Sequence, residues 1–203
     1  MSVNLIKKYF PELSENQIVK LQDSENLYKE WNSKINVISR KDIDFFVERH
    51  LLHSLSIVKT KLLENCKTVI DVGTGGGFPG IPLAIAYPNI NFTLIDSIGK
   101  KINVVNEVIS ALNLTNVKAF KSRSTDFKGN FDFIISRAVT NFPDFVSETK
   151  HLLNKSNNCG IVYLKGGDFD EEISIFKSQI IIFEVKNYFT EEFFETKKII
   201  YFK

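Results

Sequence analysis

Residues 69–82 read VIDVGTGGGFPGIP, and the fold follows from how this stretch is parsed. Thr68 to Val72 is a run of β-formers, as expected of a parallel strand buried on both faces. Gly73 ends it, and glycines recur at 75, 76, 77 and 80. Pro79 stands where a helix can begin, because a first-turn proline gives up no needed hydrogen bond. The stretch is therefore strand, glycine loop, helix. Glycines let the backbone take a positive φ and come close to a ligand. The loop N–H groups and the helix N-terminus are expected to suit a polar or anionic ligand.

Two details refine the ligand. The letters Gly75-x-Gly77-x-x-Gly80 match a dinucleotide fingerprint, which alone is a weak signal. Asp71, two residues before the first glycine, suits a cationic ligand better than a pyrophosphate. The next strand, Phe92 to Ile95, ends in Asp96, 23 residues after Gly73, where a carboxylate can accept hydrogen bonds from a ribose diol. The blander alternative is a tight turn followed by a helix capped by Asp96. The spacing hydrophobic-hydrophobic-Asp-hydrophobic-Gly-x-Gly resembles motif I of S-adenosylmethionine (AdoMet) methyltransferases.

Outward from this core, residues 1–67 read as helical. Ser14 to Gln17 forms a capping box, and Asp44 to Leu63 carries a helical apolar stripe. From Thr68 the pattern alternates. Strands are expected at Asn91–Asp96, Val117–Lys121, Phe131–Ser136 and Gly160–Lys165, and helices at Gly80–Tyr87, Lys100–Leu112, Pro143–Leu153 and Asp170–Lys177. Two late apolar runs, Ile180–Val185 and Lys198–Phe202, predict a hairpin-like finish with one antiparallel strand at the edge. The expected fold is α/β: a doubly wound, mostly parallel, seven-stranded sheet, Rossmann-like as in class I AdoMet methyltransferases. An N-terminal helical extension, residues 1–67, would pack on a methyltransferase domain, residues 68–203.

Composition sets bounds. The chain has 203 residues, 43% hydrophobic and 25% charged, as in an ordinary soluble globular protein. No stretch approaches the ~20 apolar residues of a membrane span. The N-terminus lacks a signal-peptide pattern, so a cytoplasmic protein with reduced thiols at Cys66 and Cys159 is expected. The three histidines form no zinc motif, and no metal is expected. Net charge is only +2, with the basic excess in residues 1–138, a slight lean toward a phosphate-bearing partner.

Ligands in such sheets bind beyond the carboxyl ends of the strands. After the third strand come Ser122, Arg123, Ser124, Thr125 and Asp126; after the fourth, Ser136, Arg137 and Ala138; after the fifth, Lys165, Gly166 and Gly167. Arg123, Arg137 and Lys165 together point to an anionic or guanine-containing substrate and are the candidate catalytic residues. The fourth strand is not followed by an Asn/Asp-Pro-Pro-aromatic motif, nor by a Pro-Cys nucleophile. That suits a target already nucleophilic, such as guanine N7, where catalysis rests on alignment.

The chain resembles the RsmG (GidB) family, bacterial methyltransferases that make 7-methylguanosine in 16S ribosomal RNA. The resemblance rests on WNSKINVIS (31–39), VERHLLHS (47–54), VIDVGTGGGFPGIPLAI (69–85), LIDSIGKK (94–101), SRA (136–138) and LKGG (164–167). It implies AdoMet as cofactor and methyl donor and a guanine in the decoding region of the small ribosomal subunit, the partner, as target; a monomer is expected. Asp71, Gly73, Gly75, Gly77, Phe78 and Asp96 would form the cofactor site. Ser124 and Thr125 would lie beside the adenine, and Arg137 near the methionine end. Asn36, His50, Arg123 and Lys165 would face RNA or the target base. The family usually has Asn-Leu-Thr where this chain has Asn36-Val37-Ile38, and often an acid where it has Thr125. Lys20, Lys29, Lys34, Arg40 and Lys41 are candidates for phosphate contacts from the extension. The rivals are a non-catalytic AdoMet- or RNA-binding module and an NAD-dependent oxidoreductase; binding of AdoMet but not NAD discriminates against the second.

Overall fold

A computed structural model describes residues 2–39, 41–137, 139–155 and 159–203. Seven strands form one sheet: β1 Thr68–Val72, β2 Asn91–Asp96, β3 Val117–Lys121, β4 Phe133–Arg137, β5 Gly160–Gly166, β6 Ile180–Glu184 and β7 Lys197–Phe202. Their spatial order is β3-β2-β1-β4-β5-β7-β6. β1 lies parallel between β2 and β4, with Val72 opposite Ile95 and Asp71 opposite Ile135. The chain builds outward from β1 to β3, then returns to build the other way from β4. The switch point therefore falls between β1 and β4, at the end of the glycine stretch.

The α/β class is as expected, with one correction to the sheet. β7 is antiparallel to both neighbours but does not lie at the edge; it sits between β5 and β6. The sequence carries the reason. Ile199 and Ile200 point to opposite faces, and both are fully buried, whereas Ile181 of β6 is 55% exposed. Only a strand covered on both faces belongs in the interior.

Helices α1 Ser2–Tyr9 and α2 Glu15–Lys34 precede the sheet. The capping box starts α2 as expected: Gln17 N donates to Ser14 Oγ (3.4 Å), and Ser14 N to Gln17 Oε1 (2.9 Å). The helix expected over residues 44–63 is broken. A 3₁₀ turn, Ile43–Phe45, leads to a π-helix, Val47–Leu52, and then to α3, His53–Lys59. The widened π turn lets Val47, His50, Leu51 and Leu52 all reach the interior. Helices α4 Gly80–Ala86, α5 Gly99–Ala111, α6 Phe142–Thr149 and α7 Asp170–Ile173 complete the fold.

Two apolar clusters cover the two faces of the sheet. One joins Ile6, Leu21, Leu55, Val69, Leu94 and Ile199, so the N-terminal helices share a core with the strands. The other gathers Ile70, Ile134, Phe142, Phe145 and Tyr163 beneath α6. Tyr9 reaches the far end of the chain: its ring lies 4.7 Å from that of Phe189, and its hydroxyl donates to Glu191 at 2.9 Å. Among the described residues, no helix is long and apolar enough to cross a membrane.

Candidate functional site

A cleft of about 550 Å³ opens beyond the carboxyl ends of β1, β2 and β4. Its floor is the glycine loop. Gly73 holds φ at +70°, and an added Cβ would fall 2.4 Å from Val139 Cγ2. The loop is tied down by its own N–H groups. Those of Gly73 and Thr74 donate to Ile95 O, those of Gly77 and Phe78 to Thr74 O, that of Gly75 to Asp96 Oδ2 (2.9 Å) and that of Gly80 to Asp71 Oδ2 (2.9 Å). The expected anion cradle is thereby corrected. These donors are engaged inside the protein, so the floor is poorly equipped for a pyrophosphate and compatible with a cationic ligand.

Asp71 needs a second correction. It does not face the cleft. It is fully buried under the loop, where its carboxylate accepts from Thr74 Oγ1 (2.6 Å) as well as from Gly80 N. Burial lifts its pKa to about 7, against the opposing pull of those two hydrogen bonds. It shapes the loop from behind. Gly77 is also behind the floor, because a Cβ there would meet Ile81 and, at 2.8 Å, the Tyr28 hydroxyl.

Gly73, Gly75, Phe78, Asp96, Ser124 and Thr125 do line the cleft. Asp96 is 8% exposed, and its two oxygens accept from Gly75 N and Ile98 N (2.9 and 2.8 Å). Each oxygen keeps a further lone pair, so both can still accept from a diol. At the far end, Ser124 Oγ lies 3.4 Å from Glu148 Oε2, and exposed Arg123 forms part of the rim. Thr125 turns its hydroxyl to Asp126 (3.2 Å). Glu148 comes from α6, and nothing in its local sequence distinguishes it from a solvated helix charge.

The opposite end is assembled around Arg137, the last residue of β4. Its guanidinium donates to Arg49 O (3.2 Å) and to His50 Nδ1 (3.0 Å), and lies 5.3 Å from the Phe78 ring. His50 is 8% exposed and packs between Phe46 and Phe78, with ring centroids 5.9 and 5.0 Å away. Burial, reinforced by the Arg137 charge, drives its pKa down to about 3. It is therefore neutral at neutral pH. With Nδ1 accepting from Arg137, the ring proton sits on Nε2. Burial lowers the Arg137 pKa to about 10, which leaves it a cation.

Several RNA-facing expectations land elsewhere. His50 is an interior support of Arg137 and not a surface contact. Lys165 lies outside the cleft lining and is ion-paired with Glu172. Asn36 is exposed beside the cleft, and its neighbour Val37 is the residue that lines it. Lys29 and Lys34 are paired with Glu25 and Glu30 at 2.8 Å, and Lys20 donates to Asn113 O. Lys41 is exposed. Arg40 and Ala138 lie outside the described residues. The sequence reading missed Tyr28, Val37 and Glu148.

The chain matches the family described as GidB, rRNA small subunit methyltransferase G, over residues 17–201. It is 54% identical over 200 residues to the ribosomal RNA small subunit methyltransferase G of Flavobacterium johnsoniae, covering 97% of this chain and 95% of that one. It is 52% identical over 205 residues to the protein of the same name in Christiangramia forsetii, covering 99% and 97%. Its fold is similar to that of the N-methyltransferase NodS from Bradyrhizobium japonicum, with a TM-score of 0.55, 13% identity and coverage of 75% of this chain and 95% of that one. A precorrin-6y C5,15-methyltransferase from Geobacter metallireducens gives the same TM-score of 0.55, at 10% identity and coverage of 83% and 92%. These two are likenesses of fold alone. With a match spanning most of its length and relatives above half identity, the chain belongs to the rRNA small subunit methyltransferase G family.

Proposed function

We propose that this protein transfers the methyl group of AdoMet to N7 of a guanine in 16S ribosomal RNA of the small ribosomal subunit. Membership of the family makes it an AdoMet-dependent rRNA methyltransferase. AdoMet, once bound, supplies a methyl group on a positively charged sulfur. The cleft suits such a ligand: its floor has few N–H groups to offer an anion, and Asp96 can accept from the ribose diol. Ser124 and Thr125 flank the adenine, with Glu148 as the acid of that wall. Gly73, Gly75 and Phe78 contact the cofactor. Arg137 marks the methionine end and the place where the target base arrives, and Arg123 meets RNA at the rim.

The observation that carries the N7 assignment is the state of His50. It is the base that Arg137 donates to, and it is held neutral with its accepting nitrogen occupied; Asp71, the other base near Arg137, is buried under the loop and bonded to Thr74 and Gly80. A site so arranged is poor at removing a proton. Guanine N7 needs none removed, because its lone pair is free to attack; what it requires is alignment. Arg137, fixed by Arg49 O, His50 and Phe78, is a rigid donor for that purpose. The transfer needs no metal, and the enzyme acts as a monomer in the cytoplasm. Residues 1–67 serve as an extension that completes the site of the domain formed by residues 68–203.

The test is incubation of the protein with labelled AdoMet and unmethylated small subunits, followed by mapping of the modified nucleotide. The expected product is one 7-methylguanosine in 16S rRNA, with Arg137→Ala lowering transfer at saturating RNA. Label on a carbon or an exocyclic amine would refute the N7 assignment.

A further inference from the structure

The N-terminal helix α2 reaches the cofactor loop through Tyr28. Tyr28, fully buried, donates its hydroxyl hydrogen to Gly76 O at 2.5 Å, across 48 residues of sequence. Gly76 is itself buried, at the crest of the loop that floors the cleft. A carbonyl withdrawn from water needs a donor, and Tyr28 supplies it. The Tyr28 ring then packs against Phe78 and Phe46, at 4.9 and 5.3 Å. Phe78 is the cleft residue beneath Arg137.

One turn further along the same face of α2, Asn32 does a related job. Its Oδ1 accepts from Val37 N and Ile38 N, both at 2.9 Å, and so fixes the chain leaving the helix. Val37 then lies against Gly76, its Cβ and carbonyl oxygen each 3.4 Å from where a Cβ on Gly76 would be, and it lines the cleft. Gln17 anchors the start of α2 by donating to Ile85 O and Ala86 O, both at 2.9 Å, at the end of the helix that follows the loop. The loop is thus clamped by α2 and the chain leaving it, in addition to its own hydrogen bonds.

We infer that Tyr28 and Asn32 are positioning residues for the AdoMet loop, so that cofactor affinity is set in part by the helical extension. Neither touches the reacting atoms. Tyr28 fixes the Gly76–Gly77 peptide through Gly76 O, and Asn32 fixes the Val37 wall. This inference rests on the AdoMet assignment of the cleft.

Tyr28→Phe keeps the ring packing and removes only the donor. The affinity for S-adenosylhomocysteine (AdoHcy), the demethylated product of AdoMet, should fall about tenfold by calorimetry, the worth of one buried hydrogen bond. KM for AdoMet should rise by the same factor, with kcat at saturating subunits nearly unchanged. Tyr9→Phe, which loses a hydroxyl bonded to Glu191 away from the cleft, should lower thermal stability but leave AdoHcy affinity alone. Asn32→Ala, at a half-buried position, should weaken AdoHcy severalfold and serves if Tyr28→Phe does not fold. A folded Tyr28→Phe with wild-type AdoHcy affinity overturns the role of Tyr28. Wild-type affinity in Asn32→Ala overturns that of Asn32. If the wild-type protein itself fails to bind AdoHcy, the cofactor assignment falls first, and the failure is then not one of α2.

Discussion

The two ends of the cleft are built in different ways. The end holding Asp96 is built chiefly from one unbroken segment: Asp71 to Asp96 supplies the buried carboxylate, the loop, the helix behind it and the second strand, and Ser124 and Glu148 close its far wall. Its bonds are local, with Gly75 N meeting Asp96 and Gly80 N meeting Asp71. The end holding Arg137 comes from four separated segments, which contribute Val37, His50, Phe78 and Arg137. The first end is a spacing rule that any chain can carry. The second exists only after the extension has packed on the sheet. A change at the first end should therefore act chiefly on cofactor binding, whereas a change at the second should act on folding as much as on binding.

Gly73→Val tests the first half of that statement and should have the largest effect. The left-handed φ costs about 1–2 kcal/mol for a residue with a Cβ. The overlap with Val139 adds about 1–3 kcal/mol. The loop must shift to relieve this strain and so loses the cofactor floor: AdoHcy affinity should drop by at least ~100-fold, and normal methylation by this variant would mean that the loop is misassigned. Asp96→Ala comes next. The loss of charge-assisted bonds to a ribose diol should weaken AdoMet by about 2–3 kcal/mol in a protein that still folds. Calorimetry that finds unchanged affinity would remove Asp96 from the site.

His50 tests the second half. The unfolded chain binds a proton at His50 near pH 6.5, and the folded chain only near pH 3. Between those values the unfolded state holds the extra proton, so His50's contribution is intact above pH 6.5 and is lost as the pH falls. The slope is about 1.4 kcal/mol per pH unit. Fully buried His53 acts in the same direction. Asp71 acts oppositely: with its pKa raised from 3.8 to about 7, the folded state keeps a proton that the unfolded chain releases, which favours folding as the pH drops through that window. Comparing wild type with His50→Gln by urea unfolding leaves those contributions common to both. Between pH 6.5 and 5 the wild type should lose ~2 kcal/mol more than the variant. A constant difference would mean that His50 is not held neutral.

The smallest effect concerns RNA affinity. Neutralising Lys34, Arg40 and Lys41 together should make subunit binding less sensitive to salt. The log–log slope should fall by roughly 1 for each phosphate that no longer meets a cation, with AdoMet affinity unchanged. Because Lys34 is already paired with Glu30, most of the change should come from the other two. A wild-type slope in the triple variant would place the phosphate-binding cations elsewhere.

The same contrast decides what could be read from the sequence. The glycine spacing, the acid at the end of β2 and the alternation of strands and helices are periodic or local signals, and the parallel strands β1 to β5 they forecast are the ones found. Asp71 misled because its position in the motif is right while its orientation is not: a carboxylate one residue before the strand's last residue can serve the loop from beneath as well as the ligand from above. Lys165 misled because a strand-end lysine carries no sign of the Glu172 that neutralises it seven residues later. Glu148 and Tyr28 looked like any helix acid and any helix aromatic. Their importance depends on which element lies across from them, and that is information about pairs of distant residues. The place of β7 was legible in principle, since its adjacent isoleucines demand cover on both faces.

That placement bears on how the molecule is made. Synthesis runs from the N-terminus, yet the strand that fills the gap between β5 and β6 consists of residues 197–202, which are translated after every other strand. Until those residues are free, β5 has an open edge, β6 has no partner, and Tyr163 and Ile161 lack their antiparallel neighbours. The sheet can close only once β7 has left the ribosome. A nascent chain stalled before residue 197 would expose the open edge of β5 and an unpartnered, isoleucine-rich β6. Removing residues 197–203 should therefore be far more damaging than removing an equal length of exposed chain.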